Sequence, residues 1–428
     1  MTDYPIPYPT TTGAKPSRSL YRAAVLKVLH GMRNGRLTMT LPDGSVVGIG
    51  DGENPRGSRF GLHARIDVKS EAFFRRCFYY ADIGLAESYM AGEWTTDDLA
   101  DVVSWFILNA AEPTVRARTV RRLLNWMGWF NRLGHRLRSN TVERSRENIA
   151  AHYDLSNELF SLFLDPTMTY SSGLFSSETD TLDEAQQAKY ERLCQLLQLK
   201  PGDRVLEIGG GWGAMSRYIA NRYHCQVTTI TISKEQYDWA DRLRRSENLE
   251  HLIDLRLLDY RSLEGEFDKI VSIEMLEAVG HEHFDAFFGK CSELLAPNGL
   301  AALQVITFPD SRYEVMRHDV DFIQKHVFPG GLLPSVSAML ASIGRTGDLM
   351  LADLFEFGPS YAKTLQCWAD TFEARLDDVR ALGFDETFIR KWRYYLMYCK
   401  AAFQMRHVGV VQMLLTRPNN QALETVSA

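Results

Sequence analysis

The sequence predicts a doubly wound α/β domain preceded by a smaller α+β unit, and three observations carry that expectation. From Leu199 onward, short apolar runs alternate with stretches long enough for helices or loops, the rhythm of a parallel sheet with crossover connections. The first of these runs leads straight into a glycine-rich turn at 209–213. The first hundred residues lack this rhythm and mix a hairpin pattern with helical periodicity.

The composition is that of a folded protein. The chain has 428 residues, 45% of them hydrophobic and 24% charged, which excludes disorder over most of its length. Lys plus Arg is 48 and Asp plus Glu is 54, a formal net charge of −6. That balance speaks against a nucleic-acid partner. Cys77, Cys194, Cys225, Cys291, Cys367 and Cys399 are scattered, with no CxxC pair and no metal-ligand spacing. They read as thiols of a reducing compartment. Residues 1–16 are polar, with prolines at 5, 7, 9 and 16, so no secretory signal is expected. The most apolar stretch, Val102 to Ala111, is about half of the ~20 residues a spanning helix needs. A cytoplasmic protein is expected.

The elements follow in order. Residues 1 to about 20 form a leader. From Ser19 to Arg33, Leu20, Ala24, Val25 and Val28 recur at helical spacing. Arg36 to Val47 alternates through a Pro42-Asp43-Gly44 turn, a hairpin signal. His63 to Val68 alternates again, and Glu71 to Val103 returns to helical periodicity. Thr114 to Val142 contains Arg116, Arg118, Arg121, Arg122, Arg132, Arg136 and Arg138 with no acidic residue, interleaved with Trp126, Trp129 and Phe130. Two readings stand here: a linker helix packed on the next domain, or an interfacial helix that attracts anionic headgroups. The division expected is an N-terminal α+β domain over 1–135 and a second domain over 136–428. In the second, Val205 to Ile208, Val227 to Ile232, Leu255 to Leu258, Ile270 to Ile273 and Leu300 to Ile306 read as strands. The tail, Ser360 to Pro418, reads as mostly helical.

The chemistry begins at Val205-Leu-Glu-Ile-Gly-Gly-Gly-Trp-Gly213. An apolar strand carries an acid near its end, and glycines then let the backbone turn sharply beside a ligand before a helix starts. Such a loop alone also suits a nicotinamide dehydrogenase. However, the next strand ends in Thr231-Ile232-Ser233, without the acid expected there for an NAD ribose; Glu235 and Asp238, slightly later in the next helix, keep the dehydrogenase as the lesser alternative. Glu207 ahead of the glycines is the arrangement of many class I methyltransferases, which bind S-adenosylmethionine. His281-Glu-His283 does not make a metal site, because residues two apart do not face one another on a helix; no metal is expected. A second block runs from His152 to Ser172 and ends Tyr170-Ser171-Ser172, an aromatic and two hydroxyls placed to close over a ligand.

With these blocks in register, the chain resembles the cyclopropane-fatty-acyl-phospholipid synthases over nearly its whole length. Asp82-Ile-Gly-Leu-Ala-Glu-Ser-Tyr-Met-Ala-Gly-Glu-Trp94 is similar to that family's N-terminal domain. The block at 152–172, the glycine loop and Thr231-Ile-Ser-Lys-Glu-Gln236 are similar to its cofactor site. Asp259-Tyr-Arg261, Ser272-Ile-Glu-Met-Leu-Glu-Ala-Val-Gly280, Phe328-Pro-Gly-Gly-Leu-Leu-Pro-Ser335 and the Tyr361 region follow in the family's order. Gln304 in Leu303-Gln-Val-Ile306, together with Glu274, is closer to the plant-type branch.

The resemblance implies a Rossmann-like class I methyltransferase domain with helical insertions. It implies transfer of a methylene or methyl group from S-adenosylmethionine to the double bond of an unsaturated phospholipid acyl chain. The cofactor would be held by Glu207, Gly209, Gly211, Gly213, Thr231, Ser233, Gln236, Asp259, Tyr260 and Ile273, and covered by Tyr170 and Ser171. The family's base is a bicarbonate, whose holders fall on Glu277, Tyr361 and the Ile306 backbone, with Gln304 and Ser172 completing the pocket. Ser172 stands where a cysteine is usual and Gln304 where a histidine is common, so the alternative product is a methyl- or methylene-branched chain. On the residues alone, Glu277 also suits a helix N-terminus and Tyr361 a packed core. Two other classes stay open: a lipid-binding protein without catalysis, and a methyltransferase of small molecules. The partner implied is a phospholipid bilayer surface, with peripheral association and a homodimer as expectations.

Overall fold

The computed structural model describes residues 20–50, 52, 61–109 and 156–423. The Arg-rich segment 114–142, the boundary at 135/136 and His152 lie outside the described residues.

The N-terminal unit is a four-stranded sheet with three helices. Its strands are β1 (Arg36–Thr40), β2 (Val46–Ile49), β3 (His63–Val68) and β4 (Trp94–Thr95), in the order β2-β1-β3-β4. The helices are α1 (Leu20–Leu29), α2 (Ala72–Met90) and α3 (Leu99–Asn109). The expected hairpin forms, with Leu37 opposite Ile49. The helical periodicity expected over 71–103 is divided between two helices. Ala81 breaks α2 at φ 48°, and β4 then pairs with β3 before α3 begins. The turn brings Gly84 against the preceding part of the helix: a Cβ there would lie 2.2 Å from the Arg76 carbonyl oxygen.

The larger sheet holds β5 (Arg204–Ile208), β6 (Gln226–Thr231), β7 (Ile253–Leu257), β8 (Phe267–Ile273), β9 (Leu295–Thr307), β10 (Met350–Glu356) and β11 (Gly409–Thr416) in the order β10-β11-β9-β8-β5-β6-β7. Strands β9-β8-β5-β6-β7 are parallel, whereas β11 pairs antiparallel with both of its neighbours, β9 and β10. This corrects the all-parallel sheet; the tail is mostly helical, as expected, and ends in the strand β11. β11 lies between β9 and β10 and buries Val410 through Thr416. Its continuous apolar run carries no period that separates strand from helix.

The helices of this domain are α4 (Asn157–Ser161), α5 (Leu182–Leu196), α6 (Ala214–Tyr223), α7 (Lys234–Ser246), α8 (Phe284–Leu294), α9 (Asp310–Met316), α10 (Phe322–His326), α11 (Val336–Thr346), α12 (Gly358–Ala374), α13 (Leu376–Ala381) and α14 (Glu386–Gln404). Local sequence sets several starts. Thr181 and Glu184 form a reciprocal capping box at α5, and Ser233 caps α7 through the Gln236 amide. In α14, Ile389, Trp392, Leu396 and Phe403 fall on one face and are buried.

Two features position the site. The chain leaves β5 for β6 and β7 on one side and returns to β8 on the other, so a crevice opens at the carboxyl ends of β5 and β8. The helices over that crevice share one apolar core with the N-terminal unit, including Phe74, Trp94, Trp105, Trp368 and Trp392. Arg390 of α14 donates to the Tyr89 and Trp94 carbonyls. Lys325 and His326 of α10 meet Glu87 at 2.7 and 3.1 Å.

Gly84→Ala is expected to lower stability to urea by about 1–3 kcal/mol, since the new methyl must displace backbone. Gly344→Ala in α11, where a Cβ meets nothing within 4 Å, is expected to be neutral or stabilising by up to ~1 kcal/mol. Equal effects would contradict the fold of α2.

Candidate active site

A cavity of about 400 Å³ opens at the carboxyl edge of the large sheet. One half is built on the loop after β5. Gly209, Gly211 and Gly213 have φ of 86°, 53° and 85°, left-handed values that glycine alone adopts without cost. A Cβ on Gly209 would lie 2.7 Å from Met275 Cγ, and one on Gly210 would lie 2.1 Å from Thr229 Oγ1. At Gly211 a Cβ would meet nothing within 4 Å, because that position faces the open cavity. The loop therefore presents bare backbone to whatever enters.

Glu207 braces this loop. Its carboxylate accepts from Thr229 Oγ1 at 2.6 Å and from Ser216, and burial pushes its pKa up to about 7. At the end of β6, Thr231 Oγ1 donates to Gln236 Oε1 at 2.9 Å. After β7, Asp259 is held by the Arg261 guanidinium at 2.9 and 2.7 Å. These polar groups at three strand ends, with the bare loop between them, fit a nucleoside carrying a charged tail. The donor set thus fits S-adenosylmethionine.

The other half of the cavity is aromatic. Tyr170, Phe328, Tyr361, Tyr395, Tyr398 and Phe403 line it, with Leu365 and Cys399. Tyr170 stacks on Trp368 at 5.2 Å and 26°, and its hydroxyl meets that of Tyr395 at 2.7 Å. Tyr361 stacks on Phe403 at 4.3 Å and 25°. Such a wall accepts a hydrocarbon chain, and its ring faces attract positive charge.

Two carboxyls line the cavity where β8 ends. Glu277 Oε1 accepts from the Ile306 amide at 2.5 Å, while its buried Oε2 has no hydrogen-bond partner among the described residues. Glu274 Oε1 accepts from the Ser172 amide at 2.9 Å and Gln304 Nε2 at 2.8 Å, and Oε2 accepts from the Tyr361 hydroxyl at 2.6 Å. Burial raises both pKa values. Glu277, further opposed by the charge of Glu274, goes up to about 8. For Glu274 the rise is resisted by Tyr361, Gln304, Ser172 and the Lys189 ammonium. Glu274, with three donors, has its charge better supported than Glu277, which has the Ile306 amide and the opposing charge of Glu274.

Of the expected cofactor residues, Tyr170, Ser171, Glu207, Gly209, Gly211, Thr231, Gln236, Asp259, Tyr260 and Ile273 line the cavity, as do Glu277, Tyr361 and Ile306. Four stand behind it. Gly213 caps α6 with its Cβ position 3.1 Å from Ala240, and Ser233 caps α7. Ser172 turns its hydroxyl to the Gly173 carbonyl at 2.9 Å, so it acts through its amide. Gln304 is fully buried and reaches the site through Glu274 and the Ser172 carbonyl.

The sequence reading placed no role on Lys189, Gln186 or Gln412. Lys189 is fully buried, donates to Ser171 Oγ at 2.8 Å and Gln186 Oε1 at 2.6 Å, and has its pKa lowered by burial to about 7. No motif signals it, because it sits on an ordinary helical period in α5.

The chain matches the mycolic acid cyclopropane synthetase family over residues 140–413. It is 36% identical over 396 residues to the tuberculostearic acid methyltransferase of Mycobacterium tuberculosis, covering 89% of this chain and 88% of that protein. It is also 36% identical over 356 residues to the cyclopropane-fatty-acyl-phospholipid synthase of Escherichia coli, covering 83% and 88%. Among solved structures, a cyclopropane synthase from Mycobacterium tuberculosis superposes with a TM-score of 0.59 at 30% identity, over 64% of this chain and 98% of its own. A mycolic acid cyclopropane synthase complexed with SAH and CTAB gives the same TM-score at 32% identity, with the same coverage.

Glu207 supplies a pH prediction. Its pKa rises from an ordinary 4.5 to about 7 on folding, so the folded chain holds the extra proton and this group's stability is lost as pH climbs through that window. Glu207→Gln cannot ionise. Its stability relative to the parent, from urea denaturation of the ligand-free protein, is expected to improve by about 1–3 kcal/mol between about pH 5 and pH 8. A pH-independent difference would show that Glu207 is not desolvated.

Proposed function

The chain belongs to the mycolic acid cyclopropane synthetase family, and from that premise we propose that it closes cyclopropane rings on the unsaturated acyl chains of membrane phospholipids. It is an S-adenosylmethionine-dependent methyltransferase of the cyclopropane synthase type. The observation that carries the lipid reading is one cavity joining a bare glycine loop to an aromatic wall, with Glu274 and Glu277 on its lining.

S-adenosylmethionine, when bound, supplies an electrophilic methyl group to the acyl double bond. The chain's own residues do the rest. Gly209 and Gly211 admit the cofactor, and Thr231, Gln236, Asp259 and Tyr260 hold it. Tyr170 and Ser171 cover it. The ring faces of Tyr170, Phe328 and Tyr395 favour the positive charge that develops on the acyl chain, and the Glu274 carboxylate answers it from the cavity wall. A bicarbonate base would draw on Tyr361 and the Ile306 amide. Both donate to carboxylates of the chain itself, so these residues do not fit a separate anion and no step is routed through one.

A second ending of the same methyl transfer is a methyl- or methylene-branched chain. It is favoured by the withdrawal of the Ser172 hydroxyl from the cavity, and a relative at 36% identity bears the name of a methyltransferase. The proposed setting is the cytoplasmic surface of the bilayer, bound peripherally. No described helix is long and apolar enough to cross a membrane, and the Arg-rich stretch before the second domain supplies cationic and aromatic side chains for headgroups. The proposed division of the chain, 1–135 and 136–428, places that stretch at the junction.

Mass spectrometry of lipids from cells expressing the protein and fed methyl-labelled methionine is expected to show labelled acyl chains heavier by one CH₂ unit, with NMR showing the ring. Absence of label in lipids sinks the reading. Replacing Arg116, Arg118, Arg121 and Arg122 with Gln is expected to weaken binding to anionic vesicles at least about tenfold, and unchanged sedimentation with vesicles would refute the surface assignment.

A further inference from the structure

Glu274 stands at the end of β8 with φ 48°, in the left-handed region where a residue other than glycine costs about 1 kcal/mol or more. The surroundings hold it there. Its own amide donates to the Gln304 carbonyl at 2.8 Å, and its two carboxylate oxygens take the three donors already described.

The polarity of those contacts is set from a distance. An arginine can only donate. Arg192 donates to Gln412 Oε1 at 2.7 Å, Gln412 Nε2 donates to Gln304 Oε1 at 3.0 Å, and Gln304 therefore has only its amino group left for Glu274. The Ser172 amide is also an obligate donor. Oε1 thus meets two donors and has no room for a proton, whereas Oε2 accepts one hydrogen bond from Tyr361 and keeps a lone pair.

We propose that the Glu274 carboxylate is the built-in base of this site, taking the proton that the transferred methyl group loses, in place of a bound bicarbonate. The inference rests on the lipid methyl-transfer reading above. In the first step the alkene π pair forms a bond to the methyl carbon as the S–CH₃ bond breaks, its pair staying on sulfur. The acyl carbon next to the methylated one is left as a cation. In the second step a C–H bond of the new methyl breaks, its electron pair closes the ring onto the cationic carbon, and the proton goes to Glu274 Oε2. S-adenosylhomocysteine and a protonated Glu274 remain, and the proton then passes to water.

The test uses the full chain with vesicles of unsaturated phospholipid, S-adenosylmethionine and buffer stripped of carbon dioxide. Carbon-13 line broadening of added bicarbonate is read in parallel, independently of turnover. The expected result is undiminished wild-type turnover without bicarbonate and no broadening of its signal. Glu274→Gln is expected to lose about 100-fold or more in turnover while binding S-adenosylhomocysteine as the parent does by calorimetry. Glu274→Gly relieves the backbone and empties the seat. It is expected to regain turnover with added bicarbonate or formate, and to broaden the bicarbonate signal. Wild-type protein that binds bicarbonate or stops without it, or Glu274→Gln within about threefold of the parent, overturns the proposal. If no lipid is labelled by the wild type with or without bicarbonate, the lipid reading itself fails; the bicarbonate signal still reports on the seat.

Discussion

The constraint on which this structure turns is the cost of keeping carboxylates out of water. A buried acid must either find donors or surrender its charge. Glu274 finds three, from three different parts of the chain: the turn after Thr169, strand β9 and helix α12. Those contacts hold together the segments that surround the cavity. Glu277, with the single Ile306 amide and the charge of Glu274 nearby, keeps its proton instead. Two glutamates three residues apart so differ in how far donors support their charge, and the better supported one lines the cavity.

The polar web reaches outward through buried amides. Gln412 and Gln304 are both fully buried, and each has its orientation dictated by its neighbour, back to Arg192 on α5. Arg192 is in turn braced by Asp353 on β10 at 3.3 Å and stacks on Phe355. This gives the antiparallel edge of the sheet a purpose beyond closing the core. β11 supplies Gln412, which, with the Ser172 carbonyl, sets the direction of the Gln304 amide.

The apolar half of the site depends on the N-terminal unit. Helices α12 and α14 carry Tyr361, Leu365, Tyr395 and Phe403 into the cavity wall, and their other faces share a core with Trp94 and Trp105. The bend at Ala81 and the close approach at Gly84 shape the surface on which α14 rests. The motif around Asp82 therefore acts on the site through packing rather than through contact with a ligand.

The glycine loop and the strand ends Thr231 and Asp259 were legible in the sequence, because each depends on a few residues in one short stretch. Backbone needs of that kind leave a local mark: glycines where φ is positive, a cap before a helix, an acid at a strand end. Strand β11 left none, since a strand buried on both faces has no period. Nor did the bond between Tyr361 and Glu274, whose partners lie 87 residues apart. Ser172 and Gln304 are expected from the resemblance to complete a bicarbonate pocket, and only the fold shows that they hold the Glu274 carboxylate instead of lining the cavity. Sequence alone determined which chemical groups the chain owns and the cofactor loop's shape. The tertiary structure decided which of two glutamates gathers donors around its carboxylate, because those donors come from distant segments.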